Sequence, residues 1–348
     1  MSLRAWITLI TIFLLGIVVF LGWPQIVQAW GLMGRVNPWI LALLFPVQLF
    51  SYYSAGEAMF SYLRAKGELK TMSRSMMART SLELNFVNHI VPLPGAGGFS
   101  YMGWVMSHHG VGVGRTTMAQ IIRIFSQFVS FVLLIIISVF FLLFDNGVSR
   151  ISIFISTLFV VATVSMILFT VYAIGNRKRV ILISAWVSKT INNIMRKITN
   201  GKKQEMVKPH KVKEFFLDLH SDYIEIKADK KILIKPLIWS SVSNVLDVSL
   251  ILVAFLSLGF WVNPAALFVA FGVASFATVI FAVLPGGSGV YETIMITFLV
   301  SAGIPAGAAI AGTLLARVIL LSGTIIFGYM FYQLTINKYG KISKPASL

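Results

Sequence analysis

The chain has 348 residues, 57% of them apolar and 12% charged, with no cysteine and a formal net charge of +17. Apolar runs of about 20 residues, the length that crosses a bilayer, recur throughout and exclude a soluble globular domain; the short alternating segments of a membrane β-barrel are absent. Disulfides, thiolate metal sites and cysteine nucleophiles are excluded. The positive charge lies between the apolar runs, where it marks cytoplasmic loops and contacts with anionic lipid rather than nucleic acid.

Arg4 precedes an apolar run over residues 5–23, read as a retained first span starting in the cytoplasm rather than a cleaved signal peptide. Asn37-Pro38 opens a second span, Trp39 to Leu63, which Pro46 should kink. Arg64, Lys66, Lys70, Arg74 and Arg79, against Glu68 alone, place the next loop in the cytoplasm. From Met76 to Val91 the pattern is amphipathic, with Glu83, Asn85, Asn88 and His89 interspersed, and it reaches Leu93-Pro-Gly-Ala-Gly-Gly98. The helix after that break, Phe99 to His108, rises only about 15 Å, half a bilayer. The economical reading is a re-entrant hairpin that enters from the cytoplasm and returns to it.

Thr116 to Phe144 then crosses outward, Asp145-Asn-Gly147 turns, and Ile151 to Ile174 comes back. Residues 175–231 hold fourteen Lys/Arg against six Asp/Glu and are therefore cytoplasmic. Trp186, Ile191, Ile194 and Ile198 among basic residues fit either an amphipathic helix on the membrane surface or a solvated basic loop. Ile232 to Leu258 crosses outward carrying Asn244 and Asp247, and Asn263-Pro264 opens the run that descends to a second break, Leu284-Pro-Gly-Gly-Ser-Gly-Val-Tyr-Glu292. Val290 to Ser301 heads out, Gly303-Ile-Pro305 turns, and Ala306 to Gln333 returns to the side of Lys338, Lys341 and Lys344.

The expected fold is an all-α polytopic membrane protein, an inverted repeat of two halves. It has about six full spans plus two glycine-broken re-entrant hairpins, eight apolar segments in all. Residues 1–348 form a single membrane domain, with 1–145 as the first half and 151–336 as the second, the basic loop 175–231 lying inside the latter. Both termini lie in the cytoplasm. Residues 263–302 are also long enough for two complete crossings, and that alternative stays open.

A helix broken within the hydrocarbon leaves backbone groups that lipid cannot satisfy, so each break must face protein or a watery cavity. Two such breaks in corresponding positions point to a transporter-like substrate site. Gly286, Gly287 and Gly289, and Gly95, Gly97 and Gly98 in the first copy, allow the close backbone approach that could cradle a phosphate at a half-helix N-terminus. No Lys-Ser/Thr follows them, so they are not a nucleotide-binding loop.

Arg317 falls about 16 Å beyond the Pro305 turn, near the midplane, with Glu292 as its natural partner. Either Arg317 receives a lipid phosphate while Glu292 holds it ready, or the two form a permanent pair that pins the hairpin. Arg123, about 12 Å beyond Arg115, has no acid beside it in sequence; it either meets an anionic ligand or pairs with Glu83 or Asp247. Asp247 is a proton site or an arginine partner. His89 is a candidate proton relay or a plain hydrogen-bonder, and His108-His109 are interfacial rather than a metal site. No set of residues for covalent or acid–base catalysis is matched, so no enzyme activity and no cofactor are expected.

The second half, from Pro285-Gly-Gly-Ser-Gly-Val-Tyr-Glu292 through Gly303-Ile-Pro305 to Arg317, resembles the lysylphosphatidylglycerol synthase transmembrane (flippase-like) family. The first half matches through Pro94-Gly-Ala-Gly97, Gly110 and Arg123. Phe99 stands where many members carry glutamate, and Ile122 and Ser126 stand where acids usually flank the first arginine. That departure leaves no ion pair to carry over to Arg123. The resemblance implies a membrane module that moves lipids between leaflets. Full-length members add a soluble domain that transfers lysine from lysyl-tRNA to phosphatidylglycerol, and no polar segment here is long enough to hold one. The expectation is therefore translocation or scrambling of an anionic phospholipid in the cytoplasmic membrane, with membrane lipids as partners. The alternatives are a secondary transporter of a soluble anion and a non-catalytic membrane partner of a lipid-modifying enzyme.

Overall fold

The computed structural model describes residues 36–90, 96–144, 150–198, 208–281 and 289–339, together with positions 20, 23, 27 and 34. Most of the first span, Pro92, Pro94, Gly95, the 145–147 turn, Pro285, Gly286, Gly287, Lys341 and Lys344 lie outside them. Among the described residues every regular element is a helix and none is a strand.

The Asn-Pro signal starts a helix as its chemistry dictates. The Asn37 side chain accepts from the backbone N–H of Trp39 at 3.0 Å, and Pro38 occupies the first turn, where no N–H is needed. Helix α1, Pro38–Ala42, runs through Leu43 into α2, Leu44–Ala65. The interruption lies three residues before Pro46, whose ring removes a backbone donor and crowds the preceding turn. Next come α3, Arg74–Ile90, and α4, Ala96–Ser107, on either side of the first glycine break. Then follow α5, Val113–Leu142, and α6, Arg150–Ile174.

Residues 175–231 are not a plain loop. They hold α7, Arg177–Ile198, and α8, Pro209–Ala228. After them come α9, Ile234–Ser257, and α10, Pro264–Phe281; beyond the second break stand α11, Val290–Ser301, and α12, Ala306–Tyr339. Among the described residues five helices are long and apolar enough to cross a membrane: Pro38–Ala65, Val113–Leu142, Ile153–Ile174, Lys230–Ser257 and Ala306–Tyr339. Pro264–Ala277 and Val290–Ser301 are apolar but shorter.

The chain divides into two compact units, residues 1–160 with 235–348, and residues 161–234. In the second, α7 and α8 pack on each other, and α7 buries Val180, Ser184 and Ser188 at helical spacing while Leu182 and Trp186 stay exposed. His220 Nδ1 donates to the Ile174 carbonyl at 2.7 Å, and the Arg179 guanidinium stacks 3.6 Å from the Tyr172 ring.

In the first unit, α3 packs between α2, α4 and α12, while α10 packs on α5 and α11. Its apolar centre joins Leu44, Leu142, Phe255, Leu267, Met295 and Leu315, all fully buried. Lipid is as apolar as leucine, so such helices gain from close packing at small residues rather than from water release. Gly328 on α12 shows how close: a Cβ there would lie 2.3 Å from Phe86 Cβ and 3.1 Å from the Leu82 carbonyl of α3. Gly328→Val is therefore expected to cost about 1–3 kcal/mol, the usual range for overpacking. Thermal unfolding in detergent checks this, with an unchanged midpoint as the contrary result.

Candidate functional site

The second glycine break leads directly into a charged centre. Gly289 sits at φ +117°, a backbone conformation that side-chain-bearing residues rarely adopt, and it precedes the first residue of α11. Three residues on, Glu292 turns its carboxylate back and accepts from the Gly289 N–H at 2.7 Å. An acid in this position both caps the orphan donors of a helix start and complements its dipole. The other oxygen of Glu292 lies 3.2 Å from Arg317 Nε on α12. The Arg317 guanidinium also lies over the Tyr291 ring, 4.9 Å from its centroid.

The pair is lopsided. Glu292 keeps 8% of its side-chain exposure and Arg317 keeps 43%. The carboxylate is thus enclosed while one face of the guanidinium stays open. The charge of Arg317 reaches His89 at the end of α3, and that of Asp247 reaches Tyr291. His89 Nδ1 donates to the Asn85 carbonyl at 2.8 Å. Asp247 accepts a short hydrogen bond from Ser51 Oγ on α2 and forms no ion pair with either arginine.

Arg123 is differently placed. Glu83, its alternative partner from sequence, is fully buried and already occupied. It accepts from Arg79 Nε at 2.9 Å, Tyr101 Oη at 2.6 Å and Thr335 Oγ1 at 2.7 Å, a network that ties α3 to α4 and α12. Among the described residues no carboxylate pairs with Arg123, and its Nε is buried without a hydrogen-bond partner.

Its surroundings form a polar seam. On α5, Arg123, Ser126, Gln127 and Ser130 recur at i, i+3, i+4 and i+7, and on α9, Ser240, Ser243, Asn244 and Asp247 repeat that spacing. Asn244 Nδ2 donates to the Gln127 carbonyl at 2.9 Å and to Ser130 Oγ at 2.8 Å, joining the two helices. Beside that clasp, Ser126 Oγ, Ser240 Oγ and Ser243 Oγ are buried and unpartnered like Arg123 Nε. Orphan polar groups inside an apolar helix bundle are costly and mark a place that a polar guest can occupy. The sequence reading singled out Arg123 and Asp247 but missed the matched serines and amides between them.

Of the glycines, Gly97 and Gly98 fall in the first turn of α4, Gly289 caps α11, and Gly95, Gly286 and Gly287 lie outside the described residues. A Cβ at Gly98 would lie 2.2 Å from Asn88 Oδ1, so the arms of the first break approach closely there. His108 stacks on Tyr339 at 4.8 Å, and the Tyr339 hydroxyl lies 3.3 Å from His109 Nε2. Burial and the neighbouring Lys338 charge hold His109 below the usual histidine range. Among the described residues no three His, Cys, Asp or Glu are grouped to hold a metal ion.

Several long apolar helices, two of which carry Arg123 and Arg317, define a multi-pass α-helical membrane protein. The chain belongs to the lysylphosphatidylglycerol synthase TM region family, which it matches over residues 6–328. No curated protein and no solved structure gives a significant match to it. The family ties the protein to lipid modification or translocation in a membrane.

Proposed function

We propose that this protein moves an anionic phospholipid between the leaflets of the cytoplasmic membrane as a flippase-like carrier or scramblase, and is not itself an enzyme. The observation that carries this reading is Arg123, half-buried, whose Nε is buried without a hydrogen-bond partner, on the same helix as the buried, unpartnered Ser126 hydroxyl. A cation inside an apolar helix, with a buried donor unpaired and no carboxylate beside it, is best explained by an anion that visits it. Arg317, held on one side by Glu292 and open on the other, supplies a second station. A phosphate diester fits both, because the planar guanidinium fork pairs with two phosphate oxygens.

The architecture proposed with it is the inverted repeat. What supports it is the reciprocal packing of the broken segments. The first arm of the first break, α3, lies on α12, and the first arm of the second, α10, lies on α5. Each leading arm thus rests on the second helix after the other break. Loop charge supports a cytoplasmic location for both termini. In this arrangement the two broken helices are re-entrant and meet from opposite leaflets.

The test is a proteoliposome assay with tail-labelled fluorescent phosphatidylglycerol and a membrane-impermeant quencher. Wild-type protein is expected to expose inner-leaflet label to the quencher, and Arg317→Gln to slow this at least about tenfold, the effect of one lost charge-assisted contact. Quenching no deeper than in protein-free vesicles would overturn the reading. Uptake of a soluble anion by the same vesicles, without lipid movement, would replace it with the soluble-carrier alternative.

A further inference from the structure

We propose that a second site, separate from Arg123 and Arg317, binds the phosphate of a lipid headgroup at the cytoplasmic membrane surface; it rests on the lipid-handling reading above. The site is a half-open pocket of about 390 Å³ lined by Tyr53, Glu57 and Arg64 of α2, Arg74 at the start of α3, and Lys235, Ile238 and Trp239 of α9. That volume falls at the small end of the ~300–1,000 Å³ typical of small-molecule sites.

Its charges do not cancel. Glu57, 3% exposed, gives both carboxylate oxygens to the Arg64 guanidinium. Arg74 and Lys235 then face the same space with no carboxylate partner among the described residues. Tyr53 lines the same pocket as Glu57, Arg74 and Arg64 and stands within electrostatic reach of all three. Three cations drawn from three helices repel one another unless an anion sits between them, and one internal carboxylate leaves two positive charges unanswered. A phosphate supplies the missing charge and several acceptor oxygens, and a guanidinium with an ammonium is the donor set that phosphate prefers.

The walls indicate what is attached to that phosphate. Tyr53 and Trp239 meet edge to face with ring centroids 5.7 Å apart, an aromatic pair of the kind that sits at the level of lipid headgroups. Leading away from the pocket along α9, Ile234, Ile238 and Val245 are exposed apolar residues, spaced four and seven apart on one face. Arg64 and Lys235 lie in the end turns of long apolar helices and Arg74 opens the amphipathic α3, positions that suit the membrane interface. A ligand with a charged head and an apolar tail satisfies both the pocket and the exposed row beside it. A free phosphate satisfies only the pocket. On the same helix, the polar seam begins at Ser240, one residue beyond Trp239, so a headgroup held here is already at the mouth of the proposed path.

The experiment is a binding measurement on the full-length purified protein, by native mass spectrometry in detergent. The probes are dioctanoyl phosphatidylglycerol, dioctanoyl phosphatidylcholine, glycerol phosphate and inorganic phosphate. Wild-type protein should retain phosphatidylglycerol in preference to all three others. The double variant Arg74→Gln, Lys235→Gln should lose that affinity at least about tenfold, since each charge-assisted contact is worth that much, while Lys235→Arg keeps it. Both altered residues are exposed, and an unchanged unfolding midpoint confirms that the variant remains folded. Equal retention of phosphatidylglycerol by wild type and double variant overturns the proposal. Equal binding of inorganic phosphate and phosphatidylglycerol also overturns it, in favour of a soluble-phosphate site. Lipid movement is measured separately, so a wild-type protein that binds here without moving lipid defeats the carrier reading and leaves this site standing.

Discussion

Replacing Arg123 with methionine is expected to make the protein more stable and unable to move lipid. Most arginines inside a membrane protein are held by an acid, and removing one leaves a buried carboxylate behind. Here the Nε of Arg123 is buried and unpartnered, and Glu83 is saturated by Arg79, Tyr101 and Thr335. The side chain carries the cost of desolvation with little return in the empty protein, so an apolar residue of similar length removes a penalty rather than a contact. Substitution of buried charge by packed apolar groups commonly gains about 1–4 kcal/mol. The check pairs an unfolding midpoint in detergent with the proteoliposome assay. A lower midpoint would show that Arg123 is a structural tie, and retained lipid movement would remove it from the path.

The second expectation is an asymmetry between the two members of one ion pair. Arg317→Gln should destabilise the protein by about 3–5 kcal/mol, because it strands a carboxylate that is 8% exposed. Glu292→Gln should cost clearly less, about 1–2 kcal/mol. Its amide oxygen can still accept from the Gly289 N–H, and the abandoned guanidinium is 43% exposed and still lies over Tyr291. Unfolding midpoints of the two variants decide the matter, and equal losses would contradict it. The order of the effects follows from which partner is enclosed, not from the distance between them.

Much of the membrane architecture was legible because it is written in local chemistry. Apolar length marked the spans from 38 to 65, 113 to 142, 230 to 257 and 306 to 339. Asn37-Pro38 announced a helix start, and the Pro-Gly clusters announced the two breaks. The Glu292–Arg317 contact followed from depth alone, since each residue stands a countable number of turns from a proline. What the sequence hid is non-local. Nothing near Glu83 in the chain says that Thr335 will meet it, because that contact needs α3 and α12 to cross at Gly328. The helices over 177–198 and 209–228 were obscured by their charge, which reads equally well as a solvated loop. The polar seam was visible as matched spacing on two helices. It was overlooked because single serines within apolar runs are ordinary until the bonds from Asn244 to Gln127 and Ser130 join the two helices.

Glu292 divides one negative charge between a backbone amide and a guanidinium. Any anion that engages Arg317 must loosen that division, returning the whole charge to the amide and strengthening its grip on the first turn of α11. Occupancy at the arginine is thereby recorded as a change in how firmly the turn at Gly289 is pinned. Slower amide exchange at residues 290–293 on adding anionic lipid would report it, which turns the tip of a broken helix into a gauge of its own cargo.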